Sequence, residues 1–115
     1  MARSVLLQLA RDSIEEVIQA QNQIDSKALL LEHPLLSQAI EVSLQIYLQN
    51  ECKYSFSTNS SKDSLLNNII IAAKKAAFGD KNNCLSTSQY LYCELALTLK
   101  TPDGEMIERD SAIIS

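Results

Sequence analysis

Ile40-Glu41-Val42-Ser43-Leu44-Gln45-Ile46-Tyr47-Leu48-Gln49 alternates apolar and polar side chains without interruption. In an extended chain successive side chains point to opposite faces, so Ile40, Val42, Leu44, Ile46 and Leu48 share one face. The pattern predicts a strand buried on one side only. Asn50-Glu51 reads as a turn, and Cys52 to Thr58 as a second strand returning antiparallel. A third alternation sets Cys93, Leu95, Leu97 and Leu99 against Glu94, Ala96, Thr98 and Lys100. It runs into Thr101-Pro102-Asp103-Gly104, which has turn chemistry, and Glu105 to Glu108 starts a further strand.

Two segments carry a helical period instead. Val5, Leu6, Leu9, Ala10, Ile14, Val17 and Ile18 recur at helix spacing, with Arg11, Asp12, Glu15 and Glu16 expected on the solvent side. Ser4 suits the N-cap of this helix, which reaches about Ala20. Ala28 to Leu31 is a short apolar run, and the His33-Pro34 step stops any helix there. A second long helix is expected from Ser64 to Phe78, capped by Ser61 or Asp63. Its buried stripe would be Leu65, Leu66, Ile69, Ile70, Ala73, Ala76 and Ala77, small enough to lie close to a sheet. Gly79 suits the left-handed position that ends a helix, and the residues after it read as a short polar loop. The expected fold is α+β, with two main helices packed on a small, mainly antiparallel sheet in a single domain, residues 1–115. Its core is expected to hold Leu9, Ile14, Val42, Leu44, Ile46, Ile69, Ile70, Ala73, Leu95 and Leu97.

Composition narrows the function classes. Hydrophobic residues make up 46% of the 115 and charged residues 21%, enough apolar surface for an ordinary core. With aromatics at 5%, that core must rest on Leu, Ile, Val and Ala. A net charge of -4 argues against nonspecific nucleic-acid binding, which needs clustered Lys and Arg. The one dense pair, Lys74-Lys75, reads as a solvated helix face. Cys52, Cys84 and Cys93 form no Cys-x-x-Cys pair, and His33 is the sole histidine, so no metal site is expected. The cysteines read as reduced, buried thiols of a cytoplasmic protein. No apolar run approaches the roughly 20 residues of a membrane span, and no secretory leader is expected.

The order of these elements resembles the AMMECR-type domain, named for a protein of the AMME syndrome chromosomal region. That family opens with a helix of the form Leu-Leu-x-Leu-Ala-Arg-x-x-Ile. Leu6-Leu7-Gln8-Leu9-Ala10-Arg11-Asp12-Ser13-Ile14 matches it at each named position. The family's helix ending in Ala-Ala-Phe-x-Asp is matched by Ala76-Ala77-Phe78-Gly79-Asp80, and Leu85 to Pro102 follows the family spacing without a gap. The family's Leu-Arg-Gly-Cys-Ile-Gly, however, falls on Cys52-Lys53-Tyr54-Ser55-Phe56-Ser57. Lys53 keeps a positive charge in place of Arg, Ser55 replaces the Cys, and Tyr54 and Ser57 replace the glycines. The family's Pro-Arg-Phe becomes Lys81-Asn82-Asn83, and its C-terminal part has no counterpart here.

These departures set the functional expectations. Glycines let backbone approach a ligand, and serine without a base is a far weaker nucleophile than a thiolate. The resemblance therefore implies a diverged member that is non-catalytic and acts through protein contacts. A homo-oligomer or a protein partner would cover the edge left where the family domain continues. The alternative is a small enzyme or ligand binder with a site rebuilt on the motif positions. There Lys53, Ser55 and Ser57 would bind ligand, while Ser55 as attacking group and Asp80 as base would be the catalytic candidates. Cys52, three positions from Ser55, is expected to point to the opposite face. A third reading is a decayed remnant. No cofactor, nucleic acid or membrane enters any of them.

Overall fold

The alternating segment forms the centre of the molecule. The computed structural model describes residues 4–58, 63–80, 82, 84–101 and 103–113. In chain order these form α1 (Val5–Gln19), α2 (Ser26–Glu32), a 3-10 turn (Pro34–Ser37), β1 (Glu41–Leu48), β2 (Glu51–Ser57), α3 (Leu65–Phe78), α4 (Thr87–Tyr92), β3 (Glu94–Thr101) and β4 (Gly104–Asp110). The strands make one sheet of order β2-β1-β3-β4, antiparallel throughout. Val42, Leu44 and Ile46 of β1 face Leu99, Leu97 and Leu95 of β3 across the ladder, and all six are buried. The core lies between this face and the helices α1 and α3. The opposite face carries Ser43, Gln45, Thr98 and their neighbours and is left without a helical cover among the described residues.

Local chemistry explains the helix boundaries. The Ser4 side chain accepts the Leu7 N–H, and α1 ends with Ala20 in the left-handed region at φ 53°. The N–H groups of Ala20 and Gln21 close back on Val17 and Glu16, satisfying carbonyls that the last turn leaves free. Ser64, not Asp63, caps α3 by accepting the Asn67 N–H, and the other expected cap, Ser61, lies outside the described residues. Along α3 the buried residues include Ala72, Ala73, Ala76 and Ala77, so the helix lies close to its neighbours α1 and β1. Gly79 closes α3 with φ −69°, so it is not the left-handed stop expected. Close approach requires glycine there instead, because a Cβ would run into the Lys75 carbonyl oxygen.

Several other expectations change. Arg11 was expected at the surface and is fully buried. Its guanidinium holds Asp110 at 2.7 Å and reaches the carbonyls of Tyr90, Cys93 and Ser111 and the Cys93 thiol. Burying a cation is tolerated because each N–H finds an acceptor and a carboxylate balances the charge. Lys74 is not simply solvated, since its ammonium lies 3.0 Å from Glu16 and ties α3 to α1. Ile70 is half-buried against the core, whereas the other nine expected core residues are buried. Only Cys93 is a buried thiol, and Cys52 and Cys84 are exposed. The β1–β2 turn is one residue earlier than expected, with Gln49 and Asn50 both at positive φ and Glu51 already in the strand. The residues Thr87–Tyr92, read as loop, form α4 behind a reciprocal cap between Ser86 and Gln89. The α2 helix is likewise additional to the two main helices. Pro102 of the β3–β4 turn lies outside the described residues, while Gly104 takes φ 129°, a conformation that suits glycine.

Candidate functional site

The motif positions fall on β2, an edge strand of the sheet. Its ladder with β1 runs Ser43–Ser57, Gln45–Ser55 and Ile46–Tyr54, then slips so that Tyr47 faces Cys52. Lys53 is the extra residue of this bulge. The slip reverses the expected facing of Cys52, because residues paired across strands share a face and Tyr47 belongs to the outer one. Cys52, Ser55 and Ser57 therefore all lie on the outer side, away from α3. Tyr54 and Phe56 turn inward and pack on the core.

The candidate residues are not gathered into one catalytic centre. Ser55 is exposed on the outer face opposite Gln45, and Ser57 donates to the Ser43 hydroxyl at 2.8 Å. Asp80 lies just past α3, in the helical layer on the other side of the sheet. Its carboxylate accepts the Asn82 N–H at 3.0 Å, an ordinary post-helix turn contact. A base on that side cannot serve a serine that points away from it. Lys81 and Asn83, read as the replacement for a family motif, lie outside the described residues.

Lys53 borders a cleft of about 710 Å³ at the hairpin end of the sheet. The turn residues Gln49 and Asn50, the α4 side chains Gln89 and Tyr92, and Glu94 are among the residues that line it. The volume suits a small molecule. The electrostatics suit an anion poorly, since Glu51 holds the Lys53 ammonium at 2.8 Å. That hydrogen bond and charge lift the lysine above, and lower the glutamate below, its ordinary range. Gln89 is also committed, accepting the Ser86 N–H and the Tyr54 hydroxyl. Sequence reasoning missed this cleft because it depends on α4. The Ser86–Gln89 capping pair was the signal that could have revealed that helix.

A second cluster surrounds Arg11. Tyr90 lies under its guanidinium at 5.1 Å and donates its hydroxyl to Glu15 at 2.6 Å. Burial first, and Glu15 second, push the Tyr90 phenol far above its usual value. Burial also raises the Cys93 thiol, with Arg11 opposing. For Arg11 itself burial is the largest influence and opposes the charge, but the Asp110 hydrogen bond and the charges of Cys93, Asp110 and Tyr90 together outweigh it and hold the guanidinium above its ordinary range. A protonated thiol and a neutral phenol locked in hydrogen bonds are structural groups, not reactive ones. Among the described residues no group of three His, Cys, Asp or Glu side chains is placed to hold a metal ion. No described helix is long and apolar enough to cross a membrane.

No protein-family model matches the chain, and no curated protein matches it. A solved structure does: the uncharacterized protein PH0010 from Pyrococcus horikoshii superposes with a TM-score of 0.72 at 19% sequence identity. The match covers 84% of this chain and 50% of that one, so the chain spans about half the length of its structural neighbour. At this identity the likeness shows the α+β fold alone.

Proposed function

We propose that this chain is a diverged AMMECR-type domain, cytoplasmic and non-catalytic, that acts through protein contacts. The observation that carries the reading is the contrast between its motif strand and its far edge. Where the resemblance would place two glycines beside a nucleophile, Tyr54 fills the space and its hydroxyl reaches Gln89 and the Cys84 carbonyl. Ser55 and Asp80 lie on opposite sides of the sheet, so no base meets a nucleophile there. At the other edge, β4 exposes Met106 and Ile107, at 56% and 65%, on opposite faces of one strand. An edge with uncovered apolar side chains on both faces is a surface that another polypeptide can complete.

Native mass spectrometry of the protein purified gently from its own cells tests this. A homodimer or a second protein at fixed stoichiometry is the expected result. A bare monomer counts against it. A second reading, a small-molecule binder using the cleft beside Lys53, is favoured by that cleft's volume. It would show as a monomer carrying a small ligand that Lys53→Gln releases.

A further inference from the structure

The β4 edge is complementary to itself. Its sequence is Gly104-Glu105-Met106-Ile107-Glu108-Arg109-Asp110, seven residues paired with β3 in unbroken register. Glu105, Ile107 and Arg109 share the outer face, because they pair with Lys100, Thr98 and Ala96. Met106 pairs with buried Leu99 and lies on the helix side, yet it remains exposed. Two copies can meet edge to edge across a twofold axis perpendicular to the sheet, which keeps outer face with outer face. Paired residues must then share a face, so the axis passes through a residue. An axis at Glu105, Glu108 or Arg109 sets like charges face to face. An axis at Met106 puts Glu105 against the partner's Ile107 and carries Arg109 past the strand, opposite the turn residue Asp103. An axis at Ile107 sets Ile107 against the partner's Ile107, Glu105 against the partner's Arg109, and Arg109 against the partner's Glu105. On the outer face this register has an apolar pair at its centre and two opposite-charge pairs flanking it, while on the helix side Met106 meets the partner's Glu108.

We propose that a second copy of this chain occupies the β4 edge in this register, joining two sheets into one continuous sheet with all helices on one face. The proposal rests on the protein-contact reading above and names its partner. The main-chain hydrogen bonds of the new ladder supply the affinity, and the charge pairs select the register. β4 has no proline, lysine or bulge to oppose pairing, and its two inward charges are held within the chain, Glu108 by Ser4 and Asp110 by Arg11.

A charge-exchange cycle tests this on the full chain by light scattering after gel filtration, over a roughly hundredfold concentration range reaching high micromolar. The unaltered protein should be a dimer, weakened by salt because the flanking pairs are exposed. Arg109→Glu alone and Glu105→Arg alone should each weaken it about tenfold or more, since each places like charges opposite one another twice. The double variant Glu105→Arg/Arg109→Glu should return to within about threefold of the starting affinity. Within one chain each change only does harm: Glu105→Arg faces Lys100, and Arg109→Glu loses its stacking on Tyr47 at 5.1 Å. Recovery in the double variant can therefore arise only between chains. A monomer across the whole range overturns the proposal, as do single variants that dimerise normally or a double variant as weak as the two singles combined. A light-scattering monomer that still carries a fixed-stoichiometry protein in native mass spectrometry sinks the second-copy proposal alone. A bare monomer in both sinks the protein-contact reading as well.

Discussion

At the β2 edge the ladder slips between Ile46 and Tyr47, and Lys53 stands in the bulge with its charge paired to Glu51. At the β4 edge the ladder runs straight from Gly104 to Asp110, and Met106 and Ile107 project into solvent on either face. The two edges of one sheet are thus finished in opposite ways. A bulge and a lysine are among the devices that keep a strand edge from recruiting another chain. The inner side chains of β2, Tyr54 and Phe56, are drawn into the core. Under β4 the contacts to α1 are polar: Ser4 donates to Glu108, and Arg11 holds Asp110. The candidate chemistry lies on the closed edge, while the open edge carries none.

The largest effect should come from cutting the anchor of β4. Arg11→Met would remove the 2.7 Å ion pair with Asp110 and one hydrogen-bond donor from each of the Tyr90, Cys93 and Ser111 carbonyls. A loss of about 3–5 kcal/mol in urea unfolding is expected. A loss below about 1 kcal/mol would mean that the β3 ladder alone holds β4, and the contrast between the edges would weaken.

The next test separates stability from assembly. Ile107→Lys changes an exposed residue, so folding stability measured dilute enough that both proteins are monomeric should stay within about 0.5 kcal/mol, while the dimer is lost in gel filtration at high concentration. Lys53→Gln on the other edge should leave both the dimer and the unfolding midpoint unchanged. If Lys53→Gln disrupts assembly and Ile107→Lys does not, the roles of the edges are reversed.

Tyr54→Phe should cost about 0.5–1.5 kcal/mol, because it removes hydroxyl contacts that tie β2 to α4. It should leave assembly intact, since it touches only the closed edge. An unfolding midpoint unchanged by Tyr54→Phe would show that the core contacts of its ring are sufficient.

The smallest effect concerns pH. Burial would raise the Glu16 carboxyl, but the N–H groups of Ile24 and Gln23 and the Lys74 ammonium outweigh it and hold it below the usual 4.5. A depressed carboxyl adds stability that is fully present above its unfolded value and lost as pH falls through its folded value. Unfolding midpoints should therefore drop below about pH 4.5, and Glu16→Gln should flatten that drop. An acid profile identical in Glu16→Gln would remove Glu16 from that account.

Much of this architecture was readable in the sequence because side-chain periodicity is a local signal. The strand of Val42, Leu44 and Ile46 and the helix opened by Ser4 follow from alternation and capping alone. Arg11 was misplaced because periodicity treats every arginine as a surface residue. Its acceptors come from residues about 80 to 100 positions later, which spacing cannot reveal. Cys52 was misfaced because one inserted residue in a ladder reverses the facing on its far side, and the bulge leaves no local mark. Lys53, Ser55 and Ser57 were correctly placed on a strand, but only the fold shows that Asp80 lies on the other side of the sheet. The β4 edge was legible only as the start of a further strand at Glu105 to Glu108. Its self-complementary register needed the β3–β4 pairing to show which side chains share a face.

Amide hydrogen exchange at dilute and concentrated protein tests the central claim most directly. Concentration should slow exchange at the edge amides of Gly104–Asp110 and leave Glu51–Ser57 unchanged. Protection that does not vary with concentration at β4, or that rises at β2 instead, would contradict the account.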